Sequence, residues 1–121
     1  INNIFKIKQP YNVNLAAEIA AITTLKNKNK LISNIKKILS DKKNLEEFIN
    51  NHKKISSFKS EGNFILCKFD NNDAEIVFNN LAKVGIFVRK FSDYLLKNYL
   101  RISIGKLEQM NKLKNIINNS L

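Results

Sequence analysis

The sequence predicts an α+β fold, a two-layer domain with helices packed on one face of a small, largely antiparallel sheet. Three observations point to it. Apolar residues recur at helical spacing through the first part of the chain, after about Asn14. The period shortens after His52 into brief strand-like runs. The run Tyr99-Leu100-Arg101-Ile102-Ser103-Ile104 alternates strictly between apolar and other residues. The predicted element order is α-α-β-β-α-β-β-α.

Residues 1–13 read as a connector. Phe5 and Ile7 alternate with lysines, and Gln9-Pro10-Tyr11-Asn12 breaks the pattern because Pro10 disfavours helix at Gln9. Asn14 is the predicted N-cap of a first helix with Leu15, Ile19 and Ile22 on one side. Its alanines, Ala16, Ala17, Ala20 and Ala21, keep it slim enough for close packing. Asn27 to Lys30 is a polar break. A long helix from about Leu31 to Lys54 follows, with Leu31, Ile35, Ile38, Leu39, Leu45, Phe48 and Ile49 as its buried stripe and Ser40-Asp41 as a kink or restart.

Ile55–Phe58 is a short strand, Ser60-Glu61-Gly62 a turn, and Asn63–Phe69 a strand apolar on both faces, hence central. Asn72 and Glu75 have the spacing of a capping box for a helix whose inner side is Ala74, Val77, Phe78 and Leu81. Gly85 stops that helix. Ile86–Arg89 is a short strand and Lys90–Lys97 a loop. In Tyr99–Ile104 alternation sends Leu100, Ile102 and Ile104 to the core, and Tyr99, Arg101 and Ser103 to the opposite face. The last helix buries Leu107, Met110, Leu113, Ile116 and Ile117.

At 121 residues the chain is expected to be one domain with a core of its own. It is 44% apolar and 26% charged, an ordinary globular balance. No apolar run reaches the ~18 residues of a membrane span. It shows no signal peptide and lacks an initiator Met, so it is expected to be a fragment or processed segment. The net charge of +11 invites a nucleic-acid reading. The lysines, however, are scattered over almost every predicted helix without interleaved aromatics, the pattern of solvated faces.

Of 21 Lys and Arg residues only Arg89 and Arg101 are arginine. Both adjoin strand-like runs, and a guanidinium binds carboxylate or phosphate with two parallel hydrogen bonds. Two forks near each other would make a small anion site. The alternative is two structural ion pairs, with Asp93 or Glu61 as partners. The other chemistry-bearing residues form no catalytic set. His52 lies in a polar helix end and reads as solvated. Cys67, the single cysteine, lies mid-strand and reads as a small core residue that cannot form an intrachain disulfide. One His and one Cys make no metal-ligand cluster, and three glycines make no phosphate loop.

Several segments, in order and spacing, resemble the C-terminal small domain of fold-type I pyridoxal-phosphate aminotransferases, most closely the histidinol-phosphate aminotransferase family. They are Lys8-Gln9-Pro10-Tyr11-Asn12-Val13-Asn14 entering an Ala-rich helix, Glu61-Gly62-Asn63-Phe64-Ile65-Leu66, Leu81 through Gly85-Ile86-Phe87-Val88-Arg89, and Tyr99-Leu100-Arg101-Ile102-Ser103-Ile104-Gly105 followed by Glu108. The Leu-Arg-Ile-Ser-Ile-Gly run is the most specific. The resemblance implies that 1–13 connects to an upstream large domain and that 14–121 is the small domain. It implies that Arg101 binds the substrate's anionic group, that Arg89 meets a phosphate or carboxylate, and that Asn63 lies at the active-site edge. It also implies pyridoxal 5'-phosphate held mainly by the large domain, with none of the 19 lysines here carrying it. The partners it implies are histidinol phosphate, glutamate and 2-oxoglutarate. It further implies a cytoplasmic homodimer in histidine biosynthesis, with no activity in this segment alone. Two other readings stay open on the residues: a free-standing basic α+β nucleic-acid-binding module, and a purely structural or dimer-supporting domain.

Overall fold

A computed structural model describes residues 1–7 and 13–121. The Gln9-Pro10-Tyr11-Asn12 break lies outside the described residues. The chain divides into two units, Ile1–Ile35 and Lys36–Leu121.

The first unit is helical. It holds α1 (Asn2–Ile7), α2 (Leu15–Lys26) and the start of α3 (Lys28–Asn50). The connector expected over 1–13 therefore contains a helix. Ile1, Ile4 and Ile7 recur at three-residue spacing, which a helical turn satisfies as well as the alternation of Phe5 and Ile7 satisfies a strand. Asn14 caps α2 as expected, its Oδ1 accepting the Ala17 N–H at 2.8 Å. The break after α2 is one residue, Asn27, not four. Nothing in α2 is buried, and the predicted stripe of Leu15, Ile19 and Ile22 is exposed. The alanines make α2 apolar around most of its circumference, so it has no single face to turn inward.

The second unit contains the rest of α3, then β1 (Ile55–Phe58), β2 (Phe64–Phe69), α4 (Asp73–Lys83), β3 (Arg89–Lys90), a 3₁₀ turn (Tyr94–Leu96), β4 (Tyr99–Ser103) and α5 (Leu107–Ser120). From α2 onward this is the predicted α+β order. The sheet runs β1-β2-β4-β3 and every pairing is antiparallel. Alternation divides its faces. Ile55, Ile65, Cys67, Phe69, Leu100 and Ile102 are buried on one side. Against them lie Leu45 and Ile49 of α3, Ala74, Val77 and Leu81 of α4, and Met110, Leu113 and Ile117 of α5. Helices thus cover one face, and β2 lies inside the sheet as its composition predicted.

Further local expectations change. Only Leu45 and Ile49 of the long apolar stripe are buried, while Ile35, Ile38 and Leu39 are exposed. Ser40 and Asp41 do not interrupt α3. Leu107 of α5 is exposed. Asn72 makes no side-chain cap: the Glu75 N–H donates to the Asn72 backbone carbonyl at 3.1 Å, and the Glu75 side chain is drawn into an ion pair with Lys90. That contact, chiefly its hydrogen bond, holds the Glu75 carboxyl below the usual range.

The strand expected over Ile86–Arg89 begins only at Arg89. The residues before it close α4. The Gly85 N–H donates to the Ala82 carbonyl at 3.0 Å and the Ile86 N–H to the Leu81 carbonyl at 2.9 Å, the paired bonds of a Schellman stop. Gly85 has φ +78° with open space around a Cβ position. A side chain there meets only the backbone cost of the left-handed region. Gly85→Ala should therefore destabilise the domain by about 1–2 kcal/mol, read as a lower urea midpoint. Asn, which tolerates that region, should recover part of the loss.

Candidate anion-binding site

The site is built by β3 and β4. Arg89 and Arg101 are register partners on adjacent antiparallel strands. Directly opposed residues point to the same face. Leu100 and Ile102 are buried on either side of Arg101, so that face is the one away from the helices. Both arginines are exposed. Lys90, one residue along, points the other way, where it pairs with Glu75 and lies over the Phe78 ring at 5.5 Å.

Two like charges directly opposed across a ladder repel one another. Among the described residues neither guanidinium has an ion-pair partner. The two carboxylates that would have made them structural pairs are occupied otherwise. Glu61 meets Lys59 at 3.3 Å. Asp93 Oδ1 accepts the Leu95 N–H at 2.8 Å and caps the 3₁₀ turn. Two forks on one face, with no counter-charge of their own, are an arrangement an anion would relieve.

The row containing the arginines continues across the sheet as Arg89, Arg101, Leu66 and Phe58. Beside it the Phe64 ring centroid lies 5.1 Å from Arg101 Cζ, and Phe58 and Tyr99 meet at 5.9 Å between centroids. The open face is therefore cationic at one end and aromatic in the middle. Phe64 escaped notice in the sequence because β2 is apolar on both faces. Applying the two-residue period to it, with Ile65, Cys67 and Phe69 inward, would have sent Phe64 and Leu66 to the open face, and the register then sets them beside Arg101.

Asn63 is not drawn into the arginine row. It is exposed at the head of β2, and its carbonyl accepts the Ile104 N–H at 2.8 Å. That is three residues from Leu66, a distance of ~10 Å at strand rise. His52 lies just past the end of α3 and its Nδ1 accepts the Lys54 N–H at 3.3 Å. Cys67 is fully buried, and burial pushes its thiol up to about 12, so it is protonated and shielded at neutral pH. Among the described residues no group of His, Cys, Asp and Glu could hold a metal ion, and no helix is long and apolar enough to cross a membrane.

No protein-family model matches the chain. Among curated proteins it is 32% identical to a histidinol-phosphate aminotransferase of Roseiflexus castenholzii over 97% of this chain and 32% of that one. It is 36% identical to the chloroplastic histidinol-phosphate aminotransferase of Nicotiana tabacum over 93% of this chain and 28% of the relative. Among solved structures, the Clostridium acetobutylicum histidinol-phosphate aminotransferase superposes with TM-score 0.73 at 28% identity, covering 98% of this chain and 37% of that chain. The Sinorhizobium meliloti histidinol-phosphate aminotransferase in complex with pyridoxal-5'-phosphate shares the fold, with TM-score 0.74 at 20% identity over 99% of this chain and 34% of that one. The chain thus spans about a third of the length of the relatives it matches. It is homologous to the histidinol-phosphate aminotransferases over that third, and corresponds to a domain-sized part of them.

Proposed function

We propose that this chain is the substrate-anchoring small domain of a pyridoxal-phosphate-dependent aminotransferase that moves an amino group between histidinol phosphate and 2-oxoglutarate in histidine biosynthesis. The observation that carries the proposal is the register pair Arg89 and Arg101, two forks on one open face with no carboxylate partner among the described residues. In this reading Arg101 grips the anionic group of the substrate, Arg89 meets a second phosphate or carboxylate, and Asn63 contributes at the edge. Residues 1–13 lead from a large domain, and 14–121 form the small one. The uncovered apolar surface of α2 supports the reading, since a helix apolar around most of its girth suits the interior of a larger assembly. The complete enzyme would be a cytoplasmic homodimer.

The described residues do not by themselves fit the cofactor. Carrying it needs a free lysine amine and a carboxylate facing one ring-sized cleft. The concavity of the second unit lined by Asn72, Glu75, Lys90, Phe91, Lys97 and Asn98 has such groups. Its one carboxylate, Glu75, however, is closed on Lys90, so Lys97 has no free carboxylate facing it in that lining, and the pair lies on the helix side of the sheet, away from Arg101. The contribution of this chain is to bind and orient substrate. A residue on a strand has its backbone held by the sheet around it, so the fork is rooted at a fixed point on the open face.

The test is a comparison of this chain with the longer polypeptide proposed to contain it. With glutamate as amino donor and imidazole acetol phosphate as acceptor, the longer protein should form histidinol phosphate and the 121-residue chain should form none. Turnover by the chain alone would overturn the proposal, as would a longer protein that ignores anionic amino donors.

A further inference from the structure

We propose that Phe64 is a positioning residue for Arg101, its ring serving as the platform that holds the guanidinium on the open sheet face. The proposal rests on the anchoring role given to Arg101 above. The ring centroid lies 5.1 Å from Arg101 Cζ, within the ~6 Å reach of a cation–π contact. Phe64 is register partner to Ser103 and Arg101 to Leu66, so ring and guanidinium are diagonal neighbours on one face. Such neighbours are within reach of aromatic and long side chains.

The arrangement meets two opposed needs. An arginine that anchors a ligand must keep its charge free, and Arg101 has no ion pair among the described residues. An arginine without a partner also samples many rotamers, and ordering it on binding costs affinity. A carboxylate partner would solve the second problem by spoiling the first. An aromatic face restrains the cation without neutralising it.

The ring is itself seated. A Cβ on Gly62 would lie 2.9 Å from Phe64 Cε1, so the turn residue must lack a side chain for the ring to rest there. The turn is held in turn by Lys42, the one buried charged residue among those described. Its Nζ donates to the Ser60 carbonyl at 2.5 Å and, at 3.4 Å, to that of Gly62. A buried ammonium thus fixes the turn, the turn makes room for the ring, and the ring carries the guanidinium.

Two measurements test the proposal. The chain has only two arginines, so its arginine Nε–Hε spectrum contains only two side-chain resonances. The Arg101 resonance should be shifted upfield by the ring, move downfield in Phe64→Leu, and stay shifted in Phe64→Tyr. In the longer enzyme, Phe64→Leu should raise KM for the anionic substrate about two- to fivefold with kcat unchanged, the cost of an exposed cation–π contact. Phe64→Tyr should restore KM, and Gly62→Ala should raise it. An Arg101 resonance indifferent to Phe64→Leu overturns the platform. An unchanged KM in Phe64→Leu, where Arg101→Lys raises it, overturns the positioning role. If Arg101→Lys itself leaves KM unchanged, the anchoring role falls instead, and the spectrum decides the platform by itself.

Discussion

Replacing Arg101 by lysine in the longer enzyme proposed to contain this chain should raise KM for the anionic substrate by about 30- to 150-fold. That factor corresponds to the ~2–3 kcal/mol of a charge-assisted, two-bond contact. Lysine keeps the charge and loses the planar fork, so the substitution isolates geometry from electrostatics. Arg101 is exposed on the open face and has no protein carboxylate among the described residues, so the loss should appear in substrate binding rather than in folding. Lys37→Ala, on an exposed stretch of α3, is the control and should leave KM within twofold of wild type or about that. Equal KM values for Arg101→Lys and the control would remove Arg101 from the site.

The largest effect on stability should come from Phe69→Ala, at about 3–5 kcal/mol. Phe69 is fully buried and heads the fully buried side chains by volume. It closes β2 against Ile55 of β1, and its N–H donates to the Asn98 carbonyl at 2.9 Å just ahead of β4. Removing the ring leaves a void where two strands and the helix layer meet, and a rigid sheet collapses poorly into such a void. A domain of this size has a total stability of roughly 5–15 kcal/mol, so the urea midpoint should fall steeply. Phe58→Ala, on the open face at 48% exposure, should cost far less. Similar midpoints for the two variants would contradict the division of faces.

That division was legible in the sequence because it depends on a short-range rule. A strand residue and its neighbour point opposite ways, so Leu100 and Ile102 could be assigned to the core and Arg101 to the open side without knowing the partners. The helices were less legible for the opposite reason. A helical period says that a stripe exists, not that anything covers it. Leu45 and Ile49 are covered, while Ile35, Ile38 and Leu39 on the same helix are not. The failed capping box at Asn72 and Glu75 has a similar cause. Local spacing favoured it, but Lys90 lies fifteen residues away and its claim on Glu75 exists only after folding. The start of β3 was misplaced because residues after Gly85 serve the helix stop before they serve the sheet. At the site, both arginines were identified from their rarity. Their direct opposition could not be, since register between non-consecutive strands is settled by the whole fold. Phe64 beneath Arg101 follows from the same register.

In the proposed role Arg101 grips the anionic group of a substrate. The most direct measurement is a crystal structure of the longer enzyme with a bound dicarboxylate substrate or inhibitor. The Arg101 guanidinium should make two parallel N–H···O contacts of about 2.7–2.9 Å to one ligand carboxylate. An Arg101 turned to solvent, or paired with a protein carboxylate while the ligand is anchored elsewhere, would contradict it.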